Sequence, residues 1–176
     1  VYKRPFLLTF LDSDDVWYPQ FLEKTVNFIN NTDSSMISCS YYIVSEKGKM
    51  LVQLKDESTF LTNLINYKIP CLTTSIYIDD ISFLKDCRFS SEKRVNDQPF
   101  FLSILKKLKT ISYMDEPLAI YKVGRLDSVS GSKVKQVFPK IRALKNIDAP
   151  KFIKIIAFFS WIYFGIVKYY IKGSNL

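Results

Sequence analysis

Asp12, Asp14 and Asp15 crowd together where the apolar run Phe6-Leu7-Leu8-Thr9-Phe10-Leu11 ends, in the segment Asp12-Ser13-Asp14-Asp15-Val16-Trp17. Carboxylates at that spacing repel one another unless a cation or a solvated loop relieves them. A hard divalent ion suits the set, since Mg²⁺ takes one or two carboxylates and completes its shell with water and substrate phosphates. An acidic turn that caps the next helix would use the same residues. Asp97, in Arg94-Val95-Asn96-Asp97-Gln98-Pro99-Phe100, stands where a helix is expected to start, and free N–H groups with the helix dipole favour its ionised form there. Such a carboxylate either caps the helix and does nothing else, or accepts a proton from a substrate hydroxyl.

The chain contains no histidine, which removes an imidazole base, a Ser-His triad and His-ligated zinc. Cys39, Cys71 and Cys87 are isolated, without a C-x-x-C pair, and are expected to be reduced, mostly buried thiols of a cytosolic protein. Any chemistry therefore rests on carboxylates, hydroxyls, lysine or arginine, with a metal where one is needed.

The elements that must position these groups read as alternating α and β. Phe6 to Leu11 is a buried strand, too short for a secretory leader and without a small-residue cleavage pattern. Pro19 suits a first helical position, and Leu22, Val26 and Ile29 recur at helical spacing. Met36 to Val44 and Met50 to Leu54 form a strand pair around the turn Glu46-Lys47-Gly48-Lys49. Ser58 is placed to cap a short helix carrying Phe60, Leu61, Leu64 and Ile65. Leu72 to Ile78 reads as a strand, Asp97 opens a helix with Phe100, Phe101, Ile104, Leu105 and Leu108 on one face, and Ile111 to Val123 is extended but broken at Glu116-Pro117. At 176 residues this is enough for one buried core.

The formal charge of +8 is not spread evenly. Residues 1–132 hold 16 Lys+Arg and 16 Asp+Glu, whereas residues 133–176 hold 9 and 1, so the excess lies in the tail. Within that tail Phe152 to Ile171 is aromatic and apolar, but Lys154 and Lys168 bracket an uncharged run of only 13 residues. A spanning helix needs about 20 apolar residues. With Lys133, Lys135, Lys140, Arg142, Lys145 and Lys151 beside it, the tail reads either as an interfacial helix drawn to anionic lipid or as a core helix whose lysines reach outward. Nucleic acid is not an expected partner, because the basic residues share a segment with a long apolar helix and the body is neutral.

The run Phe10-Leu11-Asp12-Ser13-Asp14-Asp15-Val16-Trp17-Tyr18-Pro19, followed by a helix, resembles the metal-binding segment of family 2 glycosyltransferases of the GT-A fold. Later segments arrive in the family's order. Thr73-Thr74-Ser75-Ile76-Tyr77-Ile78 is similar to its acceptor-side strand, and Arg94-Val95-Asn96-Asp97 to its catalytic-base segment. Asp115 to Val123 resembles the strand that follows, and Gly124-Arg125-Leu126-Asp127-Ser128-Val129-Ser130 the loop that closes over the diphosphate. The bacterial enzymes of teichuronic acid, capsule and lipopolysaccharide assembly are the relatives this order suggests.

The resemblance implies an α/β fold: the C-terminal portion of a GT-A domain over residues 1–132, a mixed sheet with flanking helices, then a basic helical tail over 133–176. It implies an inverting transfer from a nucleotide-diphosphate sugar to a hydroxyl of a glycan or lipid-linked acceptor. Asp12 and Asp14 would hold Mg²⁺ or Mn²⁺, with Asp15, Arg125 and Ser128 on the donor diphosphate, Asp97 as the base, and Trp17, Thr74 and Asn96 on the acceptor side. In the family a nucleotide-binding half precedes the metal-binding segment. Fewer than a dozen residues do so here, so the expectation is a chain that lacks that half and binds nucleotide sugar poorly alone. The expected location is the cytoplasmic face of the plasma membrane, with the tail on the lipid surface.

Two other readings use the same residues. A non-catalytic membrane-attached module would rely on the basic tail alone. A phosphatase of the haloacid-dehalogenase type would make Asp12 a nucleophile and Asp14 an acid/base. Against it, Asp15-Val16-Trp17 stands where that site uses glycine and hydroxyl residues, and no late pair of aspartates follows.

Overall fold

The structure, a computed structural model, describes residues 4–46, 48–66, 69–92, 95, 97–123 and 137–170, without the side chains of 164–170. Among these residues the chain forms β1 (Phe6–Thr9), β2 (Val16–Trp17), α1 (Phe21–Asn30), β3 (Met36–Ser45), β4 (Gly48–Val52), β5 (Glu57–Thr59), α2 (Phe60–Asn66), β6 (Ser75–Ile78), α3 (Asp97–Leu108), β7 (Thr110–Lys122), α4 (Val137–Asn146) and α5 (Lys151–Tyr170), with 3-10 turns at Cys71–Thr73 and Ile81–Leu84.

The strands make one mixed sheet in the order β1-β6-β3-β7-β2, with β4 paired to β3 and β5 to β7. β3 and β7 run parallel at its centre, and β6 joins β1 to β3 antiparallel on both sides. Central strands need both faces covered, and Met36, Ile37, Ser38, Cys39 and Ser40 are all wholly buried. The hydroxyls among them are satisfied: Ser38 Oγ and Thr73 Oγ1 lie 2.6 Å apart, and Ser40 Oγ accepts from Leu54 N at 2.9 Å. At Glu116-Pro117 the strand bulges and does not break. The register steps from Cys39↔Met114 to Ser40↔Pro117 and then Tyr41↔Ala119, letting β7 pass its proline, which has no N–H for the ladder. The turn into β4 uses Gly48 at φ +140°, where a side chain would be strained.

Three local expectations are corrected. α1 starts at Phe21 with Gln20 as its N-cap, so Pro19, expected at the first helical position, precedes the helix; α1 buries Phe21 and Thr25, packs Phe28 and Ile29 inward and leaves Leu22 and Val26 half exposed, with Trp17 stacked on Phe21 at 4.2 Å. The cap of α2 is Thr59, whose Oγ1 accepts from Thr62 N at 3.3 Å, while Ser58 lies within β5 and its Oγ accepts from Asn63 Nδ2. The strand expected from Leu72 starts only at Ser75, after a turn closed by Thr73 N to Pro70 O at 3.0 Å.

The main core lies between the sheet and α3. Phe100, Phe101, Leu102, Ile104 and Leu105 pack with Met36, Ile76, Ile78 and Ile111. Leu144, Ile147 and Ala157 belong to the same core, so α4 and α5 are fastened to the body by their inner faces. An exposed bidentate pair, Arg142 Nε and Nη2 on Glu92 at 2.5 and 2.8 Å, also ties α4 to the loop before α3. Phe101 is 1% exposed and meets Phe10 edge-on at 5.8 Å, directly beneath the acidic segment. Phe101→Ala is expected to cost about 3–5 kcal/mol in urea unfolding. A loss below about 1 kcal/mol would mean that this core collapses readily around the gap.

Candidate active site

The apolar strand β1 ends at Thr9, whose hydroxyl donates to Thr74 O at 3.2 Å, and the chain then leaves the sheet. A tight turn follows, closed by Asp15 N to Asp12 O at 3.1 Å, before β2 pairs with β7 through Val16↔Ile120 and Trp17↔Ala119. Rejoining the sheet on its far side forces the turn across the end of the central strands. The carboxylate oxygens of Asp12, Asp14 and Asp15 thereby come within 4.8 Å of one another.

The three acids sit in different surroundings. Asp12 is exposed, Asp14 half-buried and Asp15 buried. Asp15 Oδ1 accepts from Lys122 N at 3.1 Å, which pins the turn to the end of β7. Burial pushes the Asp15 carboxyl up from 3.8 to about 6; the charges of Asp14 and Asp12 add to the rise, and the Lys122 N–H opposes it. Asp12 is also raised, first by partial burial and then by the charges of Asp97 and Asp14. The turn thus gathers three carboxylates against their own repulsion, and hard oxygen donors so grouped suit a divalent cation.

A raised carboxyl has a consequence for stability. Asp15 binds its proton more tightly in the folded chain than in the unfolded one, so its contribution is fully present below pH 3.8 and is lost as pH rises through about 6. Without added metal, the melting temperature is expected to show this fall across that window, and Asp15→Asn, which keeps the acceptor for Lys122 N–H, is expected to flatten it. An unchanged slope in Asp15→Asn would place the titrating group elsewhere.

Asp97 opens α3 and accepts from Gln98 N at 2.8 Å through Oδ1. It lines a cavity of about 140 Å³ together with Asp12, Phe10, Cys71, Leu72, Phe89 and Phe101. The metal-ligand candidate and the base candidate therefore face one space, with an aromatic wall. Phe10 meets Phe89, Phe100 and Phe101 edge-on at 5.5 to 5.8 Å, and Phe89 stacks on Phe100 at 4.3 Å.

Two residues of this cavity, Cys71 and Phe89, have no signature in the sequence. Cys71 follows Pro70 in the turn before β6; burial, and then the Asp97 charge, hold its thiol well above the ordinary range, so it stays neutral. Gln98, the residue after the base candidate, donates through Nε2 to Ile69 O at 2.7 Å and Cys71 Sγ at 3.3 Å, joining that turn to the start of α3.

The acceptor-side expectations divide. Trp17 is half-buried, and its Nε1 donates to Leu72 O at 3.0 Å, so it positions the Leu72 wall of the cavity from behind. Thr74 is wholly buried, with its hydroxyl donating to Pro70 O at 3.0 Å, and it offers an acceptor no open surface. Asn96, Arg125 and Ser128 lie outside the described residues.

Residues 4–87 match the family model described as glycosyl transferase family 2. A Haemophilus influenzae protein named as an uncharacterized glycosyltransferase is 29% identical over 166 residues, covering 92% of this chain and 64% of its own length. Bacillus subtilis TuaG, named for a teichuronic acid biosynthesis glycosyltransferase, is 28% identical over 150 residues, covering 84% and 58%. Among solved structures, S. aureus TarS 1-349 in complex with UDP-GlcNAc superposes with a TM-score of 0.60 at 20% identity, over 84% of this chain and 45% of that one. The UDP complex of the same protein gives 0.57 at 22%, over 84% and 43%. The mixed sheet with its flanking helices is thus the GT-A architecture, and the chain spans under two thirds of the length of these relatives.

Proposed function

We propose, from the match of residues 4–87 to the glycosyl transferase family 2 model, that this chain carries the metal-binding and catalytic-base portion of an inverting glycosyltransferase. The observation that carries this reading is the shared cavity: Asp12 and Asp97, far apart in sequence, face the same space from the end of β1 and the start of α3. TarS is described in complex with UDP-GlcNAc and with UDP, which favours a nucleotide-diphosphate sugar as donor here.

Asp12 and Asp14 would hold Mg²⁺ or Mn²⁺, with Asp15 anchoring their turn to Lys122 N. The bound cation supplies charge to offset that gathering on the departing nucleoside diphosphate. Asp97 takes the proton from the acceptor hydroxyl as its oxygen attacks the anomeric carbon from the face opposite the leaving group, so the configuration inverts. The Gln98 N–H, at the start of α3, holds the Asp97 carboxylate in place for that step. Phe10, Phe89 and Phe101 give the cavity an apolar wall. Arg125 and Ser128 would meet the donor diphosphate, and Asn96 the acceptor. The acceptor is a hydroxyl of a cell-surface glycan or of a lipid-linked sugar, the second placing the reaction at the inner face of the plasma membrane.

The test is calorimetric titration of UDP and GDP into the protein with and without Mn²⁺. Binding that requires the cation supports the reading. Nucleotide affinity indifferent to the cation would remove the acidic turn from the donor site.

A further inference from the structure

Among the described residues of the body, Leu22, Val26, Leu51, Leu61 and Ile81 are exposed apolar side chains. α5 is different. Its inner face, Ile153, Ala157 and Phe158, packs on the core. On its outer side Phe152 is 62% exposed, Ile155 57%, Ile156 46%, Phe159 63% and Tyr163 62%. At 100° per residue these five fall within an arc of about 100°, with no charged residue among them. Helices of soluble proteins turn one stripe inward, and α5 has two.

The second stripe continues beyond the helix. Ile155 and Phe159 form one wall of a groove of about 280 Å³ whose other side is Ile141 and Leu144 of α4. Lys145 and Lys154 line that groove, and Lys154 Nζ donates to Lys145 O at 2.8 Å across the α4–α5 junction. Lys145 and Lys151 are exposed beside it, and the segment from residue 133 onward carries 9 basic residues against one acidic. Phe138, on α4, is 70% exposed.

We propose that the outer face of α5, with its groove against α4, is a docking surface for an anionic lipid bilayer, entered side-on by Phe152, Ile155, Ile156, Phe159 and Tyr163 under a basic rim of Lys145, Lys151 and Lys154. An apolar stripe with aromatic residues and flanking lysines is what the headgroup boundary of an anionic leaflet accommodates. Insertion lies flat, since no helix among the described residues is long and apolar enough to cross a membrane. Charge decides against a second copy of the chain as the occupant. Two such faces would bring like-charged lysine rims together, whereas an anionic surface reverses the sign opposite them. The surface rests on the sugar-transfer reading only in that a lipid-linked acceptor would be met there; its docking needs no donor, metal or acceptor.

The test is flotation of the full chain with vesicles of equal parts phosphatidylglycerol and phosphatidylcholine, and with phosphatidylcholine alone, in the absence of nucleotide and metal. Binding is expected on the anionic vesicles, weakened by added salt. It should fall at least about tenfold in Ile155→Glu/Phe159→Glu and in the charge reversal Lys145→Glu/Lys151→Glu. All four positions are exposed, and circular dichroism confirms that each variant keeps its fold. No binding by the folded chain, equal binding to both vesicle types, or binding unchanged in both variants overturns the proposal. So does a stable dimer in sedimentation that Ile155→Glu/Phe159→Glu dissolves without any vesicle binding. Loss of metal-dependent nucleotide binding alongside intact flotation would fall on the sugar-transfer reading alone.

Discussion

Asp97→Asn is expected to lower the rate of sugar transfer about 10²–10⁴-fold while leaving the affinity for nucleoside diphosphate nearly unchanged. The substitution keeps the shape of the side chain and an oxygen to accept the Gln98 N–H, so α3 still starts in place. What it removes is the capacity to take a proton from the acceptor hydroxyl. The split matters more than the size of the loss. A pure helix cap would show its effect in thermal stability, by about 1 kcal/mol or less, with turnover preserved. A base shows it in turnover with stability preserved. Steady-state kinetics beside a thermal melt of the same variant separate the two, and wild-type turnover in Asp97→Asn would return this residue to the role of cap.

Asp14→Ala is expected to abolish metal-dependent binding of UDP or GDP and to leave the metal-free fold at least as stable as before. Altering groups that merely orient a metal ligand typically costs 10–100-fold in metal affinity, so removing a ligand costs at least about 100-fold. The stability argument runs the other way from most deletions. The charge of Asp14 raises the carboxyls of both Asp12 and Asp15, so taking it away relieves the two neighbours. A protein that gains or keeps stability while losing metal-dependent ligand is holding repulsion in place for binding. If instead the chain melts markedly lower in Asp14→Ala and still binds nucleotide with metal, the acidic turn is structural. Calorimetry with Mn²⁺ and a melt in chelator read the two outcomes.

Order along the chain and local chemistry are legible in the residues themselves. The apolar run before Asp12 reads as a strand leading into an acidic turn, and β1 forms there, although it ends at Thr9, short of the expected Leu11. Asp97 heads α3 because Asp favours a helix start and the apolar spacing after it is helical. The acidic character of the turn and the basic bias of the tail are set by residue identity alone.

Rotation, register and convergence are decided only by tertiary structure, since each depends on what lies opposite. α1 turns Phe21 inward and leaves Leu22 out because Trp17 stacks on it from β2. β7 bulges at Pro117 and does not stop, because β3 beside it holds both ends of the strand in one ladder. Cys71 and Phe89 reach the cavity through packing against Asp97, Gln98 and Phe100, contacts between residues that periodicity cannot relate. The tail's sequence is compatible with a core helix or an interfacial one, and packing gives α5 an inward stripe while leaving a second apolar stripe facing out. Sequence determines which groups exist and which local shapes they prefer. The facing of Asp12 and Asp97 across one cavity belongs to the fold, because only the assembled sheet with α3 packed on it brings the end of β1 to the start of α3.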